Sequence, residues 1–213
     1  MKIQYDSDKI VIGIIPLIIG NGGNYIATNI AYEYANIFKK QDKKIALIDM
    51  RNSSDLGLNL IVNKDELTTH LKFNIDLYSN INTKESFDAV RSSYDIIITV
   101  LDFEQLKLFN SFSKKKTSIL VLKKNLSNLK KLEENIDAIK ESNIKYSIFN
   151  CPEKTNKVNF KLLKENGIIN ILNVPYNEFT VDNCNIEYAK KINKIKYIKL
   201  FKRVNFIKVK IKK

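Results

Sequence analysis

The sequence predicts an α/β domain built on a single, doubly wound, mostly parallel sheet with helices on both faces. Three observations lead there. Short apolar runs alternate with amphipathic stretches along the chain, the pattern of strands joined by helical crossovers. The apolar runs are continuous rather than alternating, as in Tyr94 to Leu101, YDIIITVL, which reads as a central strand buried on both faces. The chain also opens with strand, glycine cluster and helix in that order: Ile10 to Ile15 is apolar, Gly20, Gly22 and Gly23 follow, and Asn24 to Lys40 is amphipathic.

In the first helix Ile26, Ile30, Tyr34 and Ile37 recur at helical spacing, with Ala27, Ala31, Ala35 and Phe38 beside them. Lys44 to Met50, KIALIDM, is the second strand, with Asp49 near its end, on the sheet edge where α/β proteins bind ligands. A cap or loop ligand is the alternative role for that aspartate. Arg51 to Gly57 is loop chemistry. Asp65 to Leu71 is predicted as a short helix, carrying the lone His70 as a surface or packing residue. Phe73 to Tyr78 is a strand, with Phe73, Ile75 and Leu77 on one face. Lys84 to Ser92 is a helix ending before Tyr94. After the central strand, Phe103 to Phe112 is a helix and Thr117 to Leu122 a strand. Leu126 to Ser142 is a helix on the spacing of Leu129, Leu132, Ile136 and Ile139. Lys145 to Asn150 is a strand closed by Cys151-Pro152. Asn159 to Asn166 is a helix stopped by Gly167, Asn170 to Val174 a strand, and Asp182 opens the last helix, to about Lys191.

The 213 residues and 44% hydrophobic content suit one globular domain with a full core. Neither a linker nor an internal repeat divides it. The net charge of +13 is unevenly placed: Ala189 to Lys213 holds eleven Lys/Arg and no Asp/Glu, leaving 25 basic against 23 acidic residues elsewhere. Cys151 and Cys184 fit no metal-ligand pattern and read as free thiols of a reducing compartment. The first apolar run, broken by Gly13 and Pro16, is too short for a membrane span. The expectation is a cytoplasmic core.

Strand, glycine turn and helix form the frame of a phosphate-binding loop, in which main-chain N–H groups and the helix N-terminus face an anion. A working loop reads G-x-x-x-x-G-K-[ST]; its lysine meets the phosphates and its hydroxyl holds Mg²⁺. Here those two positions are Gly23 and Asn24. The frame points to nucleotide handling, and the residues point to weak binding or none. A plain strand–helix turn is the other reading of the cluster.

Taken together, these residues resemble the ParA/MinD family of deviant Walker ATPases. Gly20 to Ala31, GNGGNYIATNIA, follows the second half of the family's K-G-G-x-G-K-[ST]-[ST]-x-A-x-N-L-A register. KIALIDM resembles the second strand, where Asp49 matches the aspartate that helps place the attacking water and contacts the magnesium shell. YDIII resembles the Walker B strand, and VPYNE a late strand end near the adenine. The resemblance runs from about Lys9 to Lys191 and implies ATP or ADP with magnesium as ligand. The departures fall on charge-handling positions: the signature lysine on Ile18, the second lysine on Gly23, the hydroxyls on Asn24 and Tyr25, the Walker B aspartate about on Val100 with Asp102 two residues late, and Arg51 where many members have an acid. Removing one stabilising donor costs ~10²–10³ in rate, so losing this set predicts no useful hydrolysis, with no catalytic residue and no metal ligand assigned. Gly20, Gly22, Gly23, Asn24, Tyr25, Asp49 and Arg51 are the expected vestigial or altered nucleotide site. Asparagine as a ligand and Arg51 as a substitute cation stay open.

In the tail, Lys196 to Val204 is amphipathic as a helix. Tyr197, Ile198, Leu200, Phe201 and Val204 share one side, and Lys196, Lys199, Lys202 and Arg203 the other. Residues 192–213 are thus a segment apart from the 1–191 domain. An interfacial helix on an anionic membrane is one expectation, resembling the membrane-targeting end of MinD-type members. Salt-dependent binding to DNA is a second, and a solvated or core-packed end a third. The resemblance and the residues together predict a non-hydrolysing positioning or partition adaptor, serving plasmid or mobile-element maintenance or a conjugation or pilus machine. It would sit at the inner membrane face or on the nucleoid, and would pair with itself or with a ParA/MinD-like partner. An active atypical ATPase that dimerises on ATP, and a structural scaffold subunit, are the alternatives.

Overall fold

In the computed structural model the described residues are 9–51, 68–71, 74–79, 81, 83–112, 116–150, 161–168 and 170–174. They form eight strands: β1 (Ile10–Pro16), β2 (Ile45–Asp49), β3 (Thr68–Leu71), β4 (Ile75–Ser79), β5 (Ile96–Val100), β6 (Thr117–Leu122), β7 (Tyr146–Asn150) and β8 (Asn170–Val174). The helices are α1 (Gly23–Phe38), α2 (Lys84–Ser93), α3 (Phe103–Phe112), α4 (Leu126–Glu134), α5 (Ile136–Glu141) and α6 (Lys161–Glu165). All strands lie in one sheet in the order β3-β4-β2-β5-β1-β6-β7-β8, parallel except for β3.

The central strands are Val/Ile-rich because both faces are covered. Along β1, Ile12 and Ile14 point into the core beneath α1, where they meet Ile26, Ile30 and Tyr34. Val11 and Ile15 point the other way, into a core with Phe87 of α2, Phe109 of α3, Leu132 of α4 and Ile139 of α5. That alternation is the period-2 pleat read on a doubly buried strand. The neighbours of β1 are β5 and β6, neither of them adjacent to it in sequence. The chain leaves β1 through α1 toward β2 on one side and crosses from β5 through α3 to β6 on the other. The carboxyl end of β1 is therefore a topological switch point, where α/β sheets form ligand crevices.

Most predicted elements stand within a residue or two of their expected ends, and two differ. The helix expected over Asp65 to Leu71 is instead strand β3 over its described part, pairing antiparallel to β4 with Thr68 opposite Tyr78 and Leu71 opposite Ile75. A segment this short has no helical nucleus of its own, and two β-branched threonines suit the open edge of β4. His70 stands on that strand opposite Asp76. The helix expected over Leu126 to Ser142 is two helices, broken at Asn135, whose φ of −113° and ψ of 12° leave the helical well. The Asn135 side chain donates to Lys131 O at 2.8 Å, the local back-bonding by which asparagine competes with a helix.

Smaller devices fix the ends. Thr83 and Ser86 make a reciprocal capping box at the start of α2. Lys9 donates from Nζ to the Arg91 and Ser92 carbonyls at the end of α2, a cation on a helix C-terminus. Tyr94 donates to Asp76 while Tyr78 lies 2.8 Å from the Tyr94 hydroxyl; burial first, then these partners, push the Tyr94 phenol far up. Among the described residues no helix is long and apolar enough to cross a membrane. The last predicted helix, Cys151, Cys184 and the tail lie outside the described residues.

Candidate functional site at the glycine loop

The loop leaves β1 at the switch point and turns tightly, with Asn21 N donating to Ile18 O at 3.1 Å. Gly20 and Gly22 have φ of 86° and 88°, the left-handed region that glycine enters without a Cβ penalty. Gly22 is the residue before α1 and supplies no side-chain cap; the first turn of α1 holds no acid. A tight turn with two left-handed glycines thus joins the carboxyl end of β1 to the N-terminus of α1.

The side chains do not follow the family's register. Ile18, at the place of the signature lysine, is packed on the core of the second face. Gly23, at the place of the second lysine, is buried against Pro16. A Cβ there would lie 3.0 Å from Pro16 Cγ and 3.2 Å from its Cβ and Cδ. A side chain there would require the Pro16 ring to give by a few tenths of an ångström. Asn24, at the first hydroxyl position, is half-buried, and its Oδ1 has no hydrogen-bond partner among the described residues. Tyr25 is half-buried against the α1 core, and its carbonyl accepts from Asn29 Nδ2 at 2.7 Å.

Asp49 and Arg51 meet at the carboxyl end of β2. Arg51 Nε donates to Asp49 Oδ1 at 2.9 Å and Nη2 to Oδ2 at 2.8 Å, a two-pronged fork. Arg51 N also donates to Oδ1, at 3.1 Å. Both residues are buried, Asp49 at 0% and Arg51 at 5% exposure. The aspartate therefore does act as a loop ligand, and the sequence register gave no sign that its carboxylate would be forked by the arginine two residues on. Val100, about where the resemblance sets the Walker B aspartate, is buried in the apolar core. Asp102 stands before α3, its N–H donating to Gln105 Oε1 at 2.8 Å, as at an N-terminal cap. Among the described residues no group of three or more His, Cys, Asp or Glu could hold a metal ion.

Sequence reasoning missed three asparagines at this edge, Asn21, Asn128 and Asn150, whose amides join the loop to β6, α4 and β7. Nothing in a single sequence pairs residues more than 100 positions apart.

No family model and no curated protein matches the chain. Solved structures do. A plasmid partition protein of Borrelia burgdorferi bound to AMPPNP superposes with a TM-score of 0.65 at 14% identity, over 92% of this chain and 99% of that one. A ParA family ATPase from Chlorobium tepidum gives 0.64 at 17%, over 85% and 88%. The Aquifex aeolicus MinC:MinD complex gives 0.59 at 15%, over 83% and 85%. Topology and these likenesses agree that this chain has the α/β fold of the ParA/MinD P-loop ATPases.

Proposed function

We propose that the chain is a non-hydrolysing positioning or partition adaptor on a ParA/MinD-type fold, working in plasmid or mobile-element maintenance or beside a conjugation or pilus machine. The observation that carries this reading is the buried fork between Arg51 and Asp49. A carboxylate whose two oxygens are both held by a guanidinium is poorly placed to orient water or a magnesium shell. The loop offers no lysine in compensation, and Pro16 packs where one would start. Phosphoryl transfer depends almost wholly on positioning and charge stabilisation, so this edge supports at most weak binding of ATP or ADP with magnesium.

The test is turnover and calorimetric titration with Mg-ATP and Mg-ADP. The expected result is no phosphate release above blank, with weak heat or none. Turnover that disappears in a folded Asp49→Asn variant overturns the reading and favours the second one, an active atypical ATPase in which Arg51 swings from Asp49 to serve as the cation.

In this reading residues 192–213 are the attachment segment, and a second copy or a ParA/MinD-like protein is the partner. The cytoplasmic face of the membrane is the site of action. Lys196, Lys199, Lys202 and Arg203 would meet anionic headgroups, each cation contributing ~1 kcal/mol, while Ile198 and Phe201 enter the acyl boundary. The expected result is co-sedimentation with anionic vesicles that is lost on Ile198→Ser with Phe201→Ser. DNA retention that survives those changes and falls steeply with salt would replace the membrane by the nucleoid.

A further inference from the structure

The carboxyl edge carries a buried polar network that the nucleotide chemistry does not use. Asn21 Nδ2 donates to Asn128 Oδ1 at 2.6 Å and to Val121 O, at the end of β6, at 3.2 Å. Asn128 Oδ1 also accepts from Lys123 N at 3.1 Å. Asn128 N and Nδ2 both donate to Asn125 Oδ1, at 2.9 and 2.8 Å, which ties the network to the start of α4. From the other side Asn150, the last residue of β7, donates through Nδ2 to Asn21 O at 2.9 Å. Asn21 and Asn128 are each 2% exposed and Asn150 6%. Glycine at position 22 makes room for this amide: a Cβ there would sit 2.1 Å from Asn150 Nδ2.

The loop is therefore held at Asn21 by main chain and side chain, from three elements, inside the protein. Hydrogen bonds in such a buried, satisfied network are costly to break. An ordinary phosphate-binding loop has its main-chain amides organised around the anion. We propose that the clamp of Asn21, Asn128 and Asn150 sets the shape of this loop without a phosphate, so that the loop holds one conformation whether or not nucleotide is present. The proposal rests on the adaptor reading, since a fixed platform needs no nucleotide-gated loop, and it specifies how the site is regulated: the loop does not switch.

The experiment is hydrogen exchange of the full chain, followed by mass spectrometry over peptides spanning residues 17–25, with and without millimolar Mg-ATP. The expected result is a protected loop whose exchange changes less than about twofold with nucleotide, and that exchanges about tenfold faster or more in Asn128→Ala, while β5 peptides keep their protection. If Asn128→Ala also loosens β5, Asn150→Ala, at the end of β7, gives the same comparison with less disturbance of α4. A wild-type loop that exchanges freely, or that Mg-ATP slows about tenfold, overturns the clamp, as does unchanged loop exchange in both variants. Turnover measured on the same sample separates the two readings. Hydrolysis with a nucleotide-insensitive loop sinks the adaptor and leaves the clamp. A nucleotide-ordered loop without hydrolysis does the reverse.

Discussion

Replacing Arg51 by methionine lowers the unfolding free energy by about 3–5 kcal/mol, the usual cost of breaking one side of a buried ion pair. The guanidinium supplies two donors to Asp49, and the carboxylate they serve is fully buried. The variant keeps an unbranched apolar stem and removes the charged guanidinium, so most of the loss is the uncompensated burial of the Asp49 carboxylate. Joint replacement, Asp49→Leu with Arg51→Met, recovers most of the loss, because apolar groups of similar size need no compensation for desolvation. Urea unfolding of the two single variants and the double variant yields the coupling energy. A single-variant loss below about 1 kcal/mol, the range of exposed pairs, would mean that the fork is not the dominant partner of Asp49. The adaptor proposal would then lose the fork as its support.

Gly13→Ala costs about 1–3 kcal/mol, the range of overpacked cores. Gly13 lies in the middle of β1, opposite Thr99 of β5 and Ser118 of β6. Gly13 has no side chain and its two partners have small ones, and the Phe109 ring of α3 packs against Gly13. A Cβ at position 13 would stand 2.6 Å from Phe109 Cε1, 2.9 Å from its Cζ and 3.2 Å from Leu101 Cδ2. Phe109 is fully buried and meets Phe87 edge-on, with ring centroids 6.4 Å apart, so its ring has little freedom to move aside. Because α3 is the crossover from β5 to β6, the strain falls on the switch point beside the glycine loop. Thermal unfolding of Gly13→Ala, Phe109→Leu and the double variant reads the contact. The double variant is expected to be more stable than the sum of the single losses by about 1 kcal/mol, a coupling typical of residues in contact. Strict additivity would place the cost elsewhere than on this ring.

These two sites were legible to different degrees. Gly13 was visible only as an interruption of an apolar run, because the partner that needs the space lies 96 positions away on α3. Asp49 was placed correctly at a strand end by the pattern KIALIDM, and Arg51 stood out as a basic residue at an acidic position. Their closed fork required the chain to bend at Arg51, which no spacing rule reports. Asn135 shows the opposite limit. Leucine and isoleucine spacing continues through it, so periodicity reads one helix, while a single side chain bonding to its own backbone makes two. At Thr68–Leu71 local preference was weak and the neighbouring edge of β4 chose the strand.

What the sequence by itself determined is the alternation of elements, the doubly buried central strands and the glycine turn at the carboxyl end of β1. These follow from short-range physics: pleat and helix periods, Cβ-free dihedrals, and apolar runs that must find cover. It also shows that the loop from Leu17 to Asn24 holds no charged residue. Only the tertiary structure decided what surrounds that loop. Pro16 closes on Gly23, Arg51 forks Asp49, and amides from β7 and α4 grip Asn21. Each of these joins groups whose meeting depends on strand order and the paths of the crossovers, and hydrogen bonds of a few ångströms carry no signal along the chain.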